Sequence, residues 1–187
     1  MMTRPVALNM AIAWLFIIGS ALFALGSVPA YANAVGATAD SVTYFVGSIF
    51  FTAASFAQLL QAQTPAMTEV DTNSQSRPAR VRFRAWLPHD RNWLAAIAQF
   101  PGTLFFNIST LAALAHNATA HQEDRRVWRP DFYGSTMFLI ASVFAILALG
   151  HFLSFRPRSF PWHIAWLNMI GSILFMLSAL ASYVLPS

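Results

Sequence analysis

Residues 132–152 read FYGSTMFLIASVFAILALGHF, and their reading decides the fold. No Asp, Glu, Lys or Arg interrupts the run, and its apolar residues do not alternate with polar ones. A helix needs about 20 mainly apolar residues to cross the hydrocarbon core of a bilayer. In lipid such a helix satisfies its own backbone hydrogen bonds, whereas barrel strands would alternate. Four more stretches meet the same standard, at about 5–28, 42–60, 93–115 and 161–185. The expected fold is an all-α integral membrane bundle of five transmembrane helices. It forms one domain over residues 1–187, with a basic inner loop at 61–92.

Composition agrees. Of 187 residues, 57% are hydrophobic and 10% charged, against about 25% charged in soluble domains. There is no cysteine, which removes disulfides, thiolate metal sites and thiol nucleophiles. The chain has no lysine, so Schiff-base chemistry and P-loop phosphate binding are removed as well.

Orientation follows from arginine in the short loops. Arg4 precedes the first span, and the loop at 29–41 has no arginine. Loop 61–92 holds Arg77, Arg80, Arg82, Arg84 and Arg91, and Arg156 and Arg158 lie between the last two spans. Arg125, Arg126 and Arg129 lie in the loop at 117–131 with Glu123, Asp124 and Asp131. An inside N-terminus puts eight arginines inside and three outside, so the chain reads N-in, C-out. The first span also resembles a secretory signal ending at Ala30-Tyr31-Ala32. Its apolar run exceeds the roughly 7–15 residues of a signal core, which favours retention.

The five spans share a pattern. Gly19-Ser20-x-x-Phe23, Gly47-Ser48-x-x-Phe51, Gly102-Thr103-x-x-Phe106, Gly134-Ser135-x-x-Phe138 and Gly171-Ser172-x-x-Phe175 are each followed by small residues at +7 and +8 from the glycine. Positions 0, +4, +7 and +8 fall on one helical face. Small residues there let a neighbouring backbone approach, and the phenylalanine fits the neighbour's notch. Spans three and five share more. Trp93 and Trp162 stand nine residues before the glycine, and Gln99 and Asn168 three before it. A two-helix unit, spans two and three, thus reads as duplicated in spans four and five, with span one an extra copy of a single helix.

Hydrophobic helix pairs with this signature resemble the YrhK-type domain, a small bacterial membrane module. The resemblance rests on Gly47-Ser48, Gly134-Ser135, Gly171-Ser172 and the phenylalanines after them, and covers Ser41 to Leu185. Gly102-Thr103, preceded by Pro101, departs from it. The resemblance implies a bacterial inner-membrane location and no catalytic residues.

Few side chains suggest chemistry. His151 and His163 are the only histidines placed at similar depth, and read as interfacial residues, not as haem ligands. His116 and His121 lie near Glu123 and Asp124 without a metal-binding spacing, and His89 stands apart. No span carries a charge near its centre, which counts against proton coupling and intramembrane hydrolysis. Asp131 reads as the N-cap of span four.

Neutral polar residues gather in span three, at Gln99, Thr103, Asn107, Ser109 and Thr110, where Pro101 should kink the helix and free the carbonyl of Ile97. Any polar path would run along Gln99, Thr103, Asn107 and Asn168, the two asparagines facing each other. Arg80, Arg82 and Arg84 alternate with Val81, Phe83 and Ala85, a strip suited to the inner leaflet or a partner protein. Trp86, Trp93, Trp128, Trp162 and Trp166 fall near span ends, where interfacial anchors belong.

The expected function is non-catalytic: a structural or accessory subunit packing against lipids, itself or a larger membrane complex, without cofactor, metal or nucleic acid. The alternative is a small channel or solute carrier using the kinked third span.

Overall fold

The computed structural model describes residues 4–64, 82–115, 120–150, 156 and 158–183. They form seven α-helices and no strand: α1 (Arg4–Gly26), α2 (Pro29–Val35), α3 (Ala37–Ala62), α4 (Arg91–Ala112), α5 (Ala120–Glu123), α6 (Arg129–Ala148) and α7 (Phe160–Ala181). A π-helical turn, Asp124–Trp128, joins α5 to α6. Five helices are long and apolar enough to cross a membrane: α1, α3, α4, α6 with the turns before it, and α7.

Local chemistry sets the ends. The Asp90 carboxylate caps α4 by accepting from the backbone N–H groups of Asn92 and Trp93, at 2.8 and 3.2 Å. From the next residue, Arg91 Nη1 donates to the carbonyls of Leu147 and Gly150, at 2.5 and 2.9 Å. A cation thus meets the negative end of α6, where helix carbonyls lack partners. Gly36, at φ +81°, breaks α2 from α3 in a conformation that suits glycine.

Two expected loops are largely helical. The segment 29–41 contains α2 and the start of α3, because Pro29 presets a first turn and the alanines after it favour helix. From Ala120 onward the segment 117–131 is helical too. Asp131 is therefore not an N-cap, since the residue before α6, Trp128, is itself helical. The acid that matters is Asp124, which is 2% exposed and bound to Arg129 at 2.8 Å. The five-residue spacing of this pair matches the wider π turn.

The long helices pack as an antiparallel serpentine in the order α1, α3, α4, α6, α7. Asn9 meets Gln61 and Gly26 meets Tyr44 across α1/α3. Ser48 meets Thr110 across α3/α4, while Leu59 packs with Trp93 and Ala96. Arg91 meets Leu147 across α4/α6, and Ile146 packs on Ala165 and Met169 across α6/α7. In each pair, rising numbers on one helix meet falling numbers on the next. The first and last helices touch through the rings of Phe23 and Phe175, 5.8 Å apart, but their backbones scarcely meet.

Candidate functional site

The glycines form two reciprocal notches. A Cβ added at Gly19 would lie 2.9 Å from the Phe51 ring and 3.1 Å from the Gly47 carbonyl. One added at Gly47 would lie 2.8 Å from Phe23 and 3.2 Å from the Gly19 carbonyl. The α4/α6 pair repeats this arrangement. A Cβ on Gly134 would meet Phe106 at 2.8 Å and the Gly102 carbonyl at 3.0 Å, and one on Gly102 would meet the Gly134 carbonyl at 3.3 Å. Each missing side chain makes room for the neighbour's backbone and for its phenylalanine.

The phenylalanines at +4 converge. Phe23 touches Phe51, Phe106 and Phe175 at ring separations of 5.4, 6.4 and 5.8 Å. Phe106 stacks on Phe138 at 5.1 Å and meets Phe175 at 5.2 Å. Aromatic pairs at such distances are worth about 0.5–1.5 kcal/mol each beyond burial. The cavity among these rings, which Ser48 also lines, is about the size of one water molecule.

The small residues occupy two faces, not the single face expected. Positions 0 and +7 go with the notches: Gly26, Ala54, Ser109 and Ala141 are all buried. On α3, α4 and α6 positions +1 and +8 form a separate hydroxyl face, to which α7 adds Ser172, whereas Ser27 at +8 of α1 bonds the Tyr44 hydroxyl of α3 at 3.0 Å. Ser48 at +1 bonds Thr110 at +8 across α3/α4, at 3.0 Å. Ser172 at +1 bonds Ser142 at +8 across α6/α7, at 2.7 Å. Glycine faces thus meet at α1/α3 and α4/α6, and hydroxyl faces at α3/α4 and α6/α7. The packing is alternating.

The expected polar path is divided between the hydroxyl seams. Asn107 Nδ2 donates to Thr52 Oγ1 at 2.9 Å, and Asn168 Nδ2 donates to Ser142 Oγ at 2.9 Å. The asparagines bond different neighbours and not each other, because they lie on opposite sides of α6 in the serpentine. Thr103 is fully buried and donates to its own helix at the Phe100 carbonyl, and Gln99 is buried in α4. Pro101 lies inside α4, which is helical on both sides of it.

Of the basic strip, Arg80 and Val81 lie outside the described residues. Arg82 and Arg84 are exposed, and so are Phe83 and Trp86, at 71% and 82%. The strip is moored to the end of α3. Thr64 Oγ1 accepts from the Arg82 N–H at 3.2 Å, and the Gln63 amide donates to the carbonyls of Arg82 and Phe83 at 3.0 and 3.1 Å. Trp93 is not an interfacial anchor; it is 3% exposed against Leu59 and Ala96. Trp128 does tie an end, donating from Nε1 to the Ala179 carbonyl at 2.6 Å. Nothing in the pattern around Trp128 or Arg91 marks these ties, since their acceptors are backbone carbonyls far along the chain.

His116 and His151 lie outside the described residues. His121 and His163 are exposed, and among the described residues no three His, Asp or Glu side chains gather as a metal site. No family model, curated protein or solved structure matches the chain.

Proposed function

We propose that the chain is an integral membrane protein of five spans, N-terminus inside and C-terminus outside, serving as a non-catalytic structural or accessory subunit of a bacterial inner membrane. The observation that carries this reading is the fate of the axis. Five phenylalanines, one from each long helix, meet where a pore or substrate site would need space. Hydroxyls and amides are spent between helices, as polar glue in lipid is. Arginines exposed at Arg82 and Arg84 beside Phe83 and Trp86 suit an anionic inner leaflet.

The duplication of a two-helix unit belongs to the same proposal, and with it the kinship to YrhK-type domains. Its support is the shared sequence signature and one +1 to +8 hydroxyl bond in each pair, with the +1 serine on the first helix in α3/α4 and on the second in α6/α7. The carrier reading keeps one support: the side-chain carbonyl oxygen of Asn107 is buried without a partner beside Thr52. Liposomes separate the two readings. Purified protein should pass small neutral solutes no faster than protein-free vesicles. Selective flux that Asn107→Leu abolishes would replace the subunit reading with the carrier.

A further inference from the structure

One end of the bundle gathers what a lipid head group would meet. α3 stops there and α4 starts there, and Arg91 ties the start of α4 to the end of α6. Among the described residues the three most exposed large apolar side chains all lie at this end: Trp86 at 82%, Phe160 at 75% and Phe83 at 71%. Arg82, Arg84, Arg156 and Arg158 are exposed there too. Asp90 is the one described acid at this end, and its carboxylate caps α4. Neither Arg82 nor Arg84 has an acidic partner among the described residues.

The strip that carries these groups is fixed from beneath. Gln63 and Thr64 are 4% and 3% exposed and hold the backbone of Arg82 and Phe83. Further along, Trp86 stands edge-on to Trp93 at 5.6 Å, and Leu87 packs on Leu59, Trp93 and Ala96. The backbone is thus anchored at both ends, while Arg82, Phe83, Arg84 and Trp86 are left exposed. Exposed aromatic rings beside guanidinium groups suit the interface of an anionic bilayer.

We infer that Arg82 and Arg84 clasp the phosphate of one anionic glycerophospholipid, with Phe83 and Trp86 entering beside its acyl chains. The two arginines stand two residues apart, so their backbones lie within about 7 Å of each other. Both long side chains can therefore reach one phosphate, through charge-assisted bonds of the strong kind. A choline head group would set its own cation against them, so a net negative lipid fits better. Gln63 is a positioning residue, because its amide holds the two main-chain carbonyls that flank the clasp. The inference rests on the membrane-subunit reading and names a lipid partner for it.

The full chain is reconstituted in vesicles of phosphatidylglycerol and phosphatidylcholine in equal parts, one of them brominated on its acyl chains as a quencher of tryptophan fluorescence. Subtracting the Trp86→Phe variant isolates Trp86, and subtracting Trp14→Phe isolates Trp14, 57% exposed on α1. Quenching of Trp86 should report phosphatidylglycerol enriched about tenfold beside it, with none beside Trp14. Arg82→Gln with Arg84→Gln changes two exposed residues and should abolish the enrichment. Gln63→Leu keeps both charges and should lower it about threefold, which a diffuse positive surface would not show. Equal quenching of Trp86 by the two lipids overturns the inference, as does enrichment that survives the double arginine change. Enrichment indifferent to Gln63→Leu overturns the fixed clasp, and enrichment erased by excess glycerol phosphate makes the ligand a soluble anion instead. If Trp14 is quenched and Trp86 is not, the strip stands in water, open to a protein, and this inference fails alone. If neither is quenched, the membrane reading fails with it.

Discussion

The seam between α4 and α6 and the outer side of α7 carry the same five-residue signature in opposite circumstances. In the seam, Gly134 is pressed by Phe106 and the Gly102 carbonyl; on α7, Gly171 faces open space. The shared signature therefore does not by itself define an interface. A glycine notch becomes a seam when an antiparallel neighbour brings its own notch to the same level, as Gly102 does for Gly134. What the signature does guarantee is the inward phenylalanine, since Phe175 joins the cluster even though its glycine is unpaired.

The sharpest way to break this contrast is Gly134→Leu against Gly171→Leu. The first must force apart a backbone contact and should cost about 3 kcal/mol, at the upper end for overpacking. The second should stay within about 0.5 kcal/mol, like other surface changes. Unfolding in mixed micelles reads both, and equal losses would erase the distinction. Next in size is Phe106→Ala, with the ring 5% exposed at the centre of the cluster. It should cost about 2 kcal/mol, mostly as cavity, because lipid also solvates the lost ring in the reference state. Phe160→Ala, at 75% exposure, should change little by the same measurement. The smallest contrast lies in the hydroxyl faces. Ser142→Ala removes a bond to Ser172 and one from Asn168 and should cost about 0.6 kcal/mol or somewhat more, whereas Ser20→Ala should cost nothing measurable.

Much of this is legible from residues alone. Continuous apolar runs mark five helices to within a few residues, because hydrocarbon thickness imposes both length and composition. The spacing of glycine and phenylalanine marks what packs, since it repeats at helical period. The spacing leaves open which notch meets which. Splitting +1 and +8 from 0 and +7 depends on how each helix is rotated between two neighbours, and one helix's sequence cannot say that. Asn107 and Asn168 read as facing each other along a polar path, but the serpentine puts them on different sides of α6. Asp131 looks like a cap beside Pro130, yet helix begins upstream around buried Asp124 and its exposed partner Arg129, whose i to i+5 spacing matches a π turn. Capping by Arg91 is hidden for a similar reason: its acceptors, Leu147 and Gly150, are main-chain carbonyls.

The claim that small-residue faces hold the bundle together is tested most directly by paired cysteines in this cysteine-free chain. Ser142→Cys with Ser172→Cys, and Ser48→Cys with Thr110→Cys, replace hydroxyls that stand 2.7 and 3.0 Å apart. Mild oxidation in the membrane should close both pairs within the chain, while Ser20→Cys with Ile173→Cys stays open and reacts with a lipid-soluble maleimide. If the first two pairs take up maleimide and fail to close, the small-residue faces look outward to lipid, and the packing described above is wrong.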